Sequence, residues 1–384
     1  MTPAARLQAA AEIIDRIEGG IPAEKALTNW ARNSRYAGSK DRRAVRDHVF
    51  DCLRMWRSTA ALGGAETGRG RVLGLLRSAD IDPDTMFTGQ GHAPGPLSDD
   101  EQAGGRDADG YAAWDLPDWL GQRFSDGLGE KAESTAMSLR HRAEVYLRVN
   151  TLKADLATAQ AELSAEGILT EAHALSPTAL RVTEGARQVA RSQAYLTGLV
   201  ELQDAASQSV VDMLPLQAGM RVLDYCAGGG GKTLAMAARM DGGPVTAHDA
   251  NVGRMSDLPA RAERAAAKVD IVDSPTGQFD LVLCDVPCSG SGAWRRSPEG
   301  KWRFGPEDLE ALIGLQSEII NNAKSLVSPG GFLAYATCSV LPAENTHQSA
   351  RFLQANSGWE QQVERQFLPE DGGDGFYVTF FKRK

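Results

Sequence analysis

The chain has 384 residues, 42% of them hydrophobic and 24% charged, with a formal net charge of −9. That composition excludes a fibrous or disordered polymer, and the acidic balance excludes a protein that coats nucleic acid without discrimination. No apolar run approaches the roughly 18 to 20 residues that span a bilayer, and the N-terminus lacks the apolar stretch of a signal peptide, so a cytoplasmic protein without a membrane partner is expected. Five cysteines, an odd number, read as separate reduced thiols and not as a disulfide framework.

From Ala5 to about Leu76 apolar residues recur at helical spacing, first as Leu7, Ala11, Ile14 and Ile17, later as Ala44, Val49, Leu53 and Trp56. An all-α domain is expected over residues 1–85. Its basic residues Arg32, Arg35, Lys40, Arg42, Arg43, Arg46, Arg54 and Arg57 form either a nucleic-acid face or an ordinary solvated helix surface. Residues 86–112 turn to Gly, Pro and acid, as in Gly89-Gln-Gly-His-Ala-Pro-Gly-Pro96, and read as a flexible linker. Over residues 113–203 the strands Val145–Asn150, Ala179–Thr183 and Leu199–Leu202 alternate with helical stretches, the pattern of a small α+β module.

Residues 204–384 alternate strand and helix on the period of a doubly wound, Rossmann-like α/β fold. Strands are predicted at Met220–Tyr225, Val245–Asp249, Phe279–Cys284 and Gly331–Ala336, with helices starting near Lys232, Asn251, Pro306 and Glu344. The apolar run Phe376–Phe381 is predicted as an added edge strand. In such sheets ligands collect at the carboxyl ends of the strands. There the first strand runs into Cys226-Ala227-Gly228-Gly229-Gly230-Gly231-Lys232, a loop whose bare backbone suits close approach to a nucleotide-like cofactor. A phosphate-binding P-loop requires glycine six residues before the lysine, where this chain has Cys226, and the Gly-x-Gly-x-x-Gly spacing fits only loosely. Asp249, closing the next strand, is placed to hold ribose hydroxyls. Arg254, one turn later, is either a ligand contact or a solvated side chain.

Two further strand ends carry thiols, Cys288 in Asp285-Val-Pro-Cys-Ser-Gly-Ser-Gly292 and Cys338 in Tyr335-Ala-Thr-Cys-Ser-Val340. A pyrimidine is too electron-poor at carbon 5 to take up an alkyl group unless a thiolate first adds to carbon 6, and a second ionisable group must later remove the carbon-5 proton. Two cysteines at neighbouring strand ends suit both tasks, and Asp285 is a candidate to hold the base edge. Cys226 and Cys284, inside or beside apolar runs, read as packing thiols. Zinc is disfavoured, because no Cys-x-x-Cys pair occurs and the histidines do not cluster with the thiols.

These motifs, with Leu147-Arg-Val-Asn-Thr-Leu-Lys153, Leu202-Gln-Asp-Ala-Ala-Ser-Gln208 and Glu344-Asn345, resemble those of the Nop/Sun family of RNA 5-methylcytosine methyltransferases, in its bacterial, RsmB-like branch. The resemblance implies a class I methyltransferase domain, S-adenosylmethionine as cofactor, and RNA as partner, ribosomal RNA first and transfer RNA second; no metal and a monomer are expected. It implies that Cys338 is the nucleophile and Cys288 assists product release, an order the residues alone leave open. It carries over Cys226 to Lys232, Asp249 and Asp285 as cofactor positions. The N-terminal helices, especially Arg35-Tyr-Ala-Gly-Ser-Lys-Asp-Arg-Arg43, are similar to a NusB-like RNA-binding domain. Two departures stand out. Gly228 and Gly229 replace the usual Ala-Pro of the loop, and the acid that contacts the adenine amine has no clear match, with Asp270, Asp273 or neither in that place. The rival reading is a non-catalytic RNA-binding assembly factor on the same fold.

Overall fold

In the computed structural model, which describes residues 1–384, the N-terminal helical pattern resolves into the helices Pro3–Glu18, Ala23–Asn33, Ser39–Arg54, Trp56–Gly63 and Gly68–Ser78. The Thr2 hydroxyl caps the first by accepting from the Ala5 N–H. Ile13, Ile14, Val45, Val49, Leu53 and Leu73 are buried together as its core. Glycine sets how closely the last two helices pack: a Cβ on Gly74 would lie 1.8 Å from the Thr59 carbonyl oxygen. This helical unit comprises Met1–Arg142 together with Trp294–Phe304, and the remainder, Ala143–Ala293 with Gly305–Lys384, is a second unit.

Two features of the helical unit differ from the sequence expectation. The segment 86–112, expected as a flexible linker, is tied down: Phe87 is buried, Ser98 and Glu101 form a capping box on the helix Asp99–Ala103, and Glu101 pairs with Arg69 at 2.6 Å. The glycines and prolines fix the path while Arg69 and Arg77 bond its carbonyls, a long-range provision that composition does not reveal. The strip Trp294–Phe304, expected within the methyltransferase domain, packs here instead. Trp302 Nε1 donates to the Leu53 carbonyl at 2.7 Å, Lys301 Nζ to the Arg54 carbonyl at 2.9 Å, and Arg54 Nε to the Arg295 carbonyl at 2.9 Å. Arg54, Arg295 and Lys301 are therefore interior and not part of a solvated basic surface. Burial pushes the Lys301 ammonium down to about 7, against the pull of Asp115.

The second unit holds two sheets. The first contains β1 (Tyr146–Val149), β2 (Leu169–Ala172), β3 (Ala179–Glu184) and β4 (Val200–Leu202), antiparallel in the order β2-β3-β1-β4. The second contains β5 (Val222–Asp224), β6 (Val245–Ala247), β7 (Val269–Ile271), β8 (Phe279–Asp285), β9 (Val327–Thr337), β10 (Trp359–Phe367) and β11 (Phe376–Arg383). Its order is β10-β11-β9-β8-β5-β6-β7, with β5 to β9 parallel and β11 antiparallel to both of its neighbours. Phe376–Arg383 is thus not the edge: Trp359–Phe367, unrecognised because Glu and Gln dominate it, covers that side. Apolar side chains cover both faces of the sheet, Val222, Leu281, Leu283, Ala334 and Val378 on one and Leu223, Val282, Cys284, Tyr335 and Phe381 on the other. The chain proceeds from β5 outward through β6 and β7, then returns to β8 on β5's other side. The switch point, where a ligand crevice opens, therefore lies at the carboxyl ends of β5 and β8. No helix is long and apolar enough to cross a membrane.

Candidate active site

At the end of β5 the loop Cys226–Gly231 leads into the helix Gly231–Arg239. Gly228 at φ +51° and Gly230 at φ +82° occupy the left-handed region, and a Cβ on Gly230 would lie 2.2 Å from Leu258 Cδ1, so glycine is required twice over. The Asp249 carboxylate fastens this loop to the end of β6. It accepts from the Gly228 N–H at 2.9 Å and the Asn251 N–H at 2.9 Å, and pairs with Arg254 at 3.2 Å. Arg254 is 54% exposed, so its role toward the loop runs through Asp249. The N–H groups of Ala227, Gly228 and Gly230 are spent internally, leaving those of Gly229, Gly231 and Lys232 for a ligand.

Lys232 turns inward from the helix start and donates to Asp285 Oδ2 at 2.7 Å at the end of β8. Burial disfavours its charge, yet the Asp285 carboxylate prevails and the ammonium is held above its ordinary range. Asp285 is half-buried and keeps Oδ1 open. Three residues beyond it Cys288 meets Cys338, with the two sulfurs 3.4 Å apart. The hydrogen bond shared with Cys338, then desolvation and the nearby charges, hold the Cys288 thiol well above the ordinary thiol range. Cys284 is buried in the sheet and Cys226 lies half-buried in the loop; desolvation raises both, so neither is an activated nucleophile.

Residues to which the sequence reading assigned no role complete the site. Asp224, the last residue of β5, accepts from the Thr233 hydroxyl at 2.7 Å. Arg148, from the four-stranded sheet, donates to the Gly231 carbonyl at 3.0 Å and ties that sheet to the cofactor loop. Glu344 lies under both cysteine loops. Of the two acids considered for an adenine contact, Asp273 lies past the carboxyl end of β7, on the side of the crevice, whereas Asp270 sits within the strand in register with Thr246. Strand alternation alone does not separate them.

Residues 211–382 match the family model of the 16S rRNA methyltransferase RsmB/F, and residues 116–189 match the RsmF/B-like ferredoxin-like domain. Ribosomal RNA small subunit methyltransferase B of Vibrio cholerae is 33% identical over 301 residues, covering 74% of this chain and 68% of that protein. Among solved structures, PH0851 has a TM-score of 0.75 at 22% identity and covers 100% of this chain and 99% of that one. NSun6 from Pyrococcus horikoshii, solved with the S-adenosylmethionine analogue SFG, has a TM-score of 0.63 at 17% identity, covering 70% and 98%. Both share the fold. It is an S-adenosylmethionine-dependent fold, and the residues here fit that cofactor: bare loop backbone at Gly228–Gly231, an acid at Asp249 with lone pairs left for ribose hydroxyls, and an open carboxylate oxygen on Asp285. The chain belongs to the RsmB/F family of RNA methyltransferases.

Proposed function

We propose that this RNA methyltransferase acts on carbon 5 of a cytosine in ribosomal RNA, through a covalent adduct between Cys338 and carbon 6. The observation that carries the reading is the 3.4 Å approach of two thiols at adjacent parallel strand ends, beside a glycine loop and the Lys232–Asp285 pair. S-adenosylmethionine, when bound, supplies an electrophilic methyl group. The residues perform the rest. Cys338 adds as thiolate to carbon 6, which makes carbon 5 nucleophilic. Once carbon 5 is alkylated, Cys288, having released its own proton to solvent, takes the carbon-5 proton as a thiolate; the electron pair of that carbon–hydrogen bond restores the ring double bond and the carbon–sulfur bond breaks, releasing Cys338 as thiolate. A thiol held well above its ordinary range offers little thiolate for first attack but is a strong base once deprotonated, so Cys288 suits removal of the carbon-5 proton better than first attack. Asp285 Oδ1 is free to accept from the exocyclic amine, and the hydrogen bond from Lys232 to Oδ2 keeps that carboxylate oriented. Ribosomal RNA as substrate is supported by the Vibrio cholerae relative, of whose length this chain covers about two thirds, and implies a cytoplasmic site of action.

Incubation with ribosomal RNA and cofactor, followed by denaturing electrophoresis and bisulfite sequencing, tests the reading. Cys338→Ala should give neither methylation nor a protein–RNA adduct. Cys288→Ala should accumulate a denaturant-resistant adduct, because elimination is slowed. The opposite pattern would exchange the two roles; full activity in both variants would overturn the covalent route, and methylation confined to transfer RNA would overturn the substrate.

A further inference from the structure

Glu344 is 0% exposed, and its carboxylate is the meeting point of three segments. Oε1 accepts from the Ser289 N–H at 2.8 Å, in the Cys288 loop, and from Gln316 Nε2 at 3.0 Å, in the helix Pro306–Ala323. Oε2 accepts from the hydroxyls of Ser289 and of Ser339, each at 2.5 Å, the latter in the Cys338 loop. Four donors thus reach the two carboxylate oxygens, and no lysine or arginine pairs with them. The surroundings are equally fixed: Tyr335 donates to the Glu344 carbonyl at 2.6 Å, Ser291 and Ser339 share a hydrogen bond at 2.8 Å, and Asn345 bonds Thr337, Ser339 and Gln366. A buried carboxylate without a cation is costly, and replacing it by an apolar side chain would serve packing better. Its geometry is explained if it holds the two cysteine loops in register.

We propose that Glu344 is the positioning residue that separates the tasks of the two thiols, clamping both loops onto one carboxylate and setting a fixed negative charge on the Cys288 side. The proposal rests on the reading of Cys338 and Cys288 given above. The ionisable groups facing the pair are Cys338 itself, Glu344 and Tyr335 around Cys288, and Lys232 with Asp285 near Cys338. The negative carboxylate disfavours a thiolate on Cys288, whereas the Lys232 ammonium lies on the Cys338 side, so first attack falls to Cys338.

The test reads thiol chemistry without RNA. In a Cys338→Ala background, iodoacetamide labelling of Cys288 is followed against pH by peptide mass spectrometry, with and without Glu344→Gln. Glutamine keeps the shape and removes the charge. The labelling midpoint should move down by about half a pH unit or more, since one unit corresponds to about 1.4 kcal/mol of charge interaction. In the otherwise unchanged protein, Glu344→Gln should lower kcat about tenfold or more with KM for S-adenosylmethionine held. If Glu344→Gln does not fold, Ser289→Ala serves: the charge stays and one tether goes, so maximal labelling of Cys288 should rise at least threefold at an unmoved midpoint. An unmoved profile in a folded Glu344→Gln, or unchanged labelling in Ser289→Ala, overturns the role of Glu344. A wild type that methylates no cytosine overturns the functional reading instead.

Discussion

Asp224 shows how much of this site is decided by single atoms. The side chain is 1% exposed, Oδ2 accepts from Thr233, and Oδ1 has no partner within the protein. Burial outweighs the Thr233 hydrogen bond and, with the nearby Asp285 charge, pushes the carboxyl up to about 7. Between its ordinary value near 3.8 and about 7 the folded protein therefore holds a proton that the unfolded chain has released, so this group's contribution to stability is complete at low pH and is lost as pH rises through about 7. Asp224→Asn should escape that loss. Urea unfolding at pH 5 and pH 8 should show the variant gaining on wild type at the higher pH, by on the order of 1 kcal/mol or more. A constant difference would mean that Asp224 is ionised throughout. The glycine-rich loop was legible in the sequence, and Glu344 stood there as a motif position, but the roles of Asp224 and Glu344 were not legible, because a buried acid is recognised by what surrounds it.

Among the elements, the helix Ser39–Arg54 divides most clearly by face. Val45, Val49 and Leu53 are buried, Arg54 is drawn into the interior, Arg46 pairs with Glu24 at 2.6 Å, and Arg42 Nε donates to the Ala37 carbonyl. Lys40 and Arg43 remain exposed, next to a loop in which Tyr36 is 73% exposed. If that face meets RNA phosphates, Lys40→Ala with Arg43→Ala should weaken RNA binding at all sequences alike and reduce the slope of log affinity against log salt by about 0.7 per lost contact. A filter-binding titration from low to moderate salt measures it, and an unchanged slope returns the helix to a packing role. The strands divide in the same way. β11 announces itself by an apolar run, whereas β10 alternates Glu, Gln and Arg and is held by pairing with β11. Its backbone partners, and not its side-chain pattern, make it a strand.

At the scale of the molecule, the chain leaves the cysteine loop after Ala293, contributes Trp294–Phe304 to the helical unit, and returns at Gly305. Within that strip Trp294, Arg295 and Lys301 are buried, and Trp302 packs on the helical core. A chain lacking residues 1–142 loses the Leu53 and Arg54 carbonyls and the helical core on which Trp302 packs. Trypsin should then cut after Arg295 and Lys301 at least tenfold faster than in the full chain, as followed by mass spectrometry of timed digests. Equal rates would show that the strip stays ordered by itself.

The sequence by itself determined the alternation of strand and helix, the strand-end positions of Cys288, Cys338 and Asp285, and the glycine loop, because period, turn chemistry and residue type are local properties. Tertiary structure alone decided that the two sulfurs meet at 3.4 Å, that Lys232 reaches Asp285, that Arg148 reaches the loop, and that Lys301 is interior. Each of these joins residues far apart in the chain, 50 positions for the two cysteines and 83 for Arg148 and Gly231. Such distances close only when β8 and β9 lie side by side and the smaller sheet docks its Arg148 on the loop, a result of burying apolar faces that no local pattern encodes.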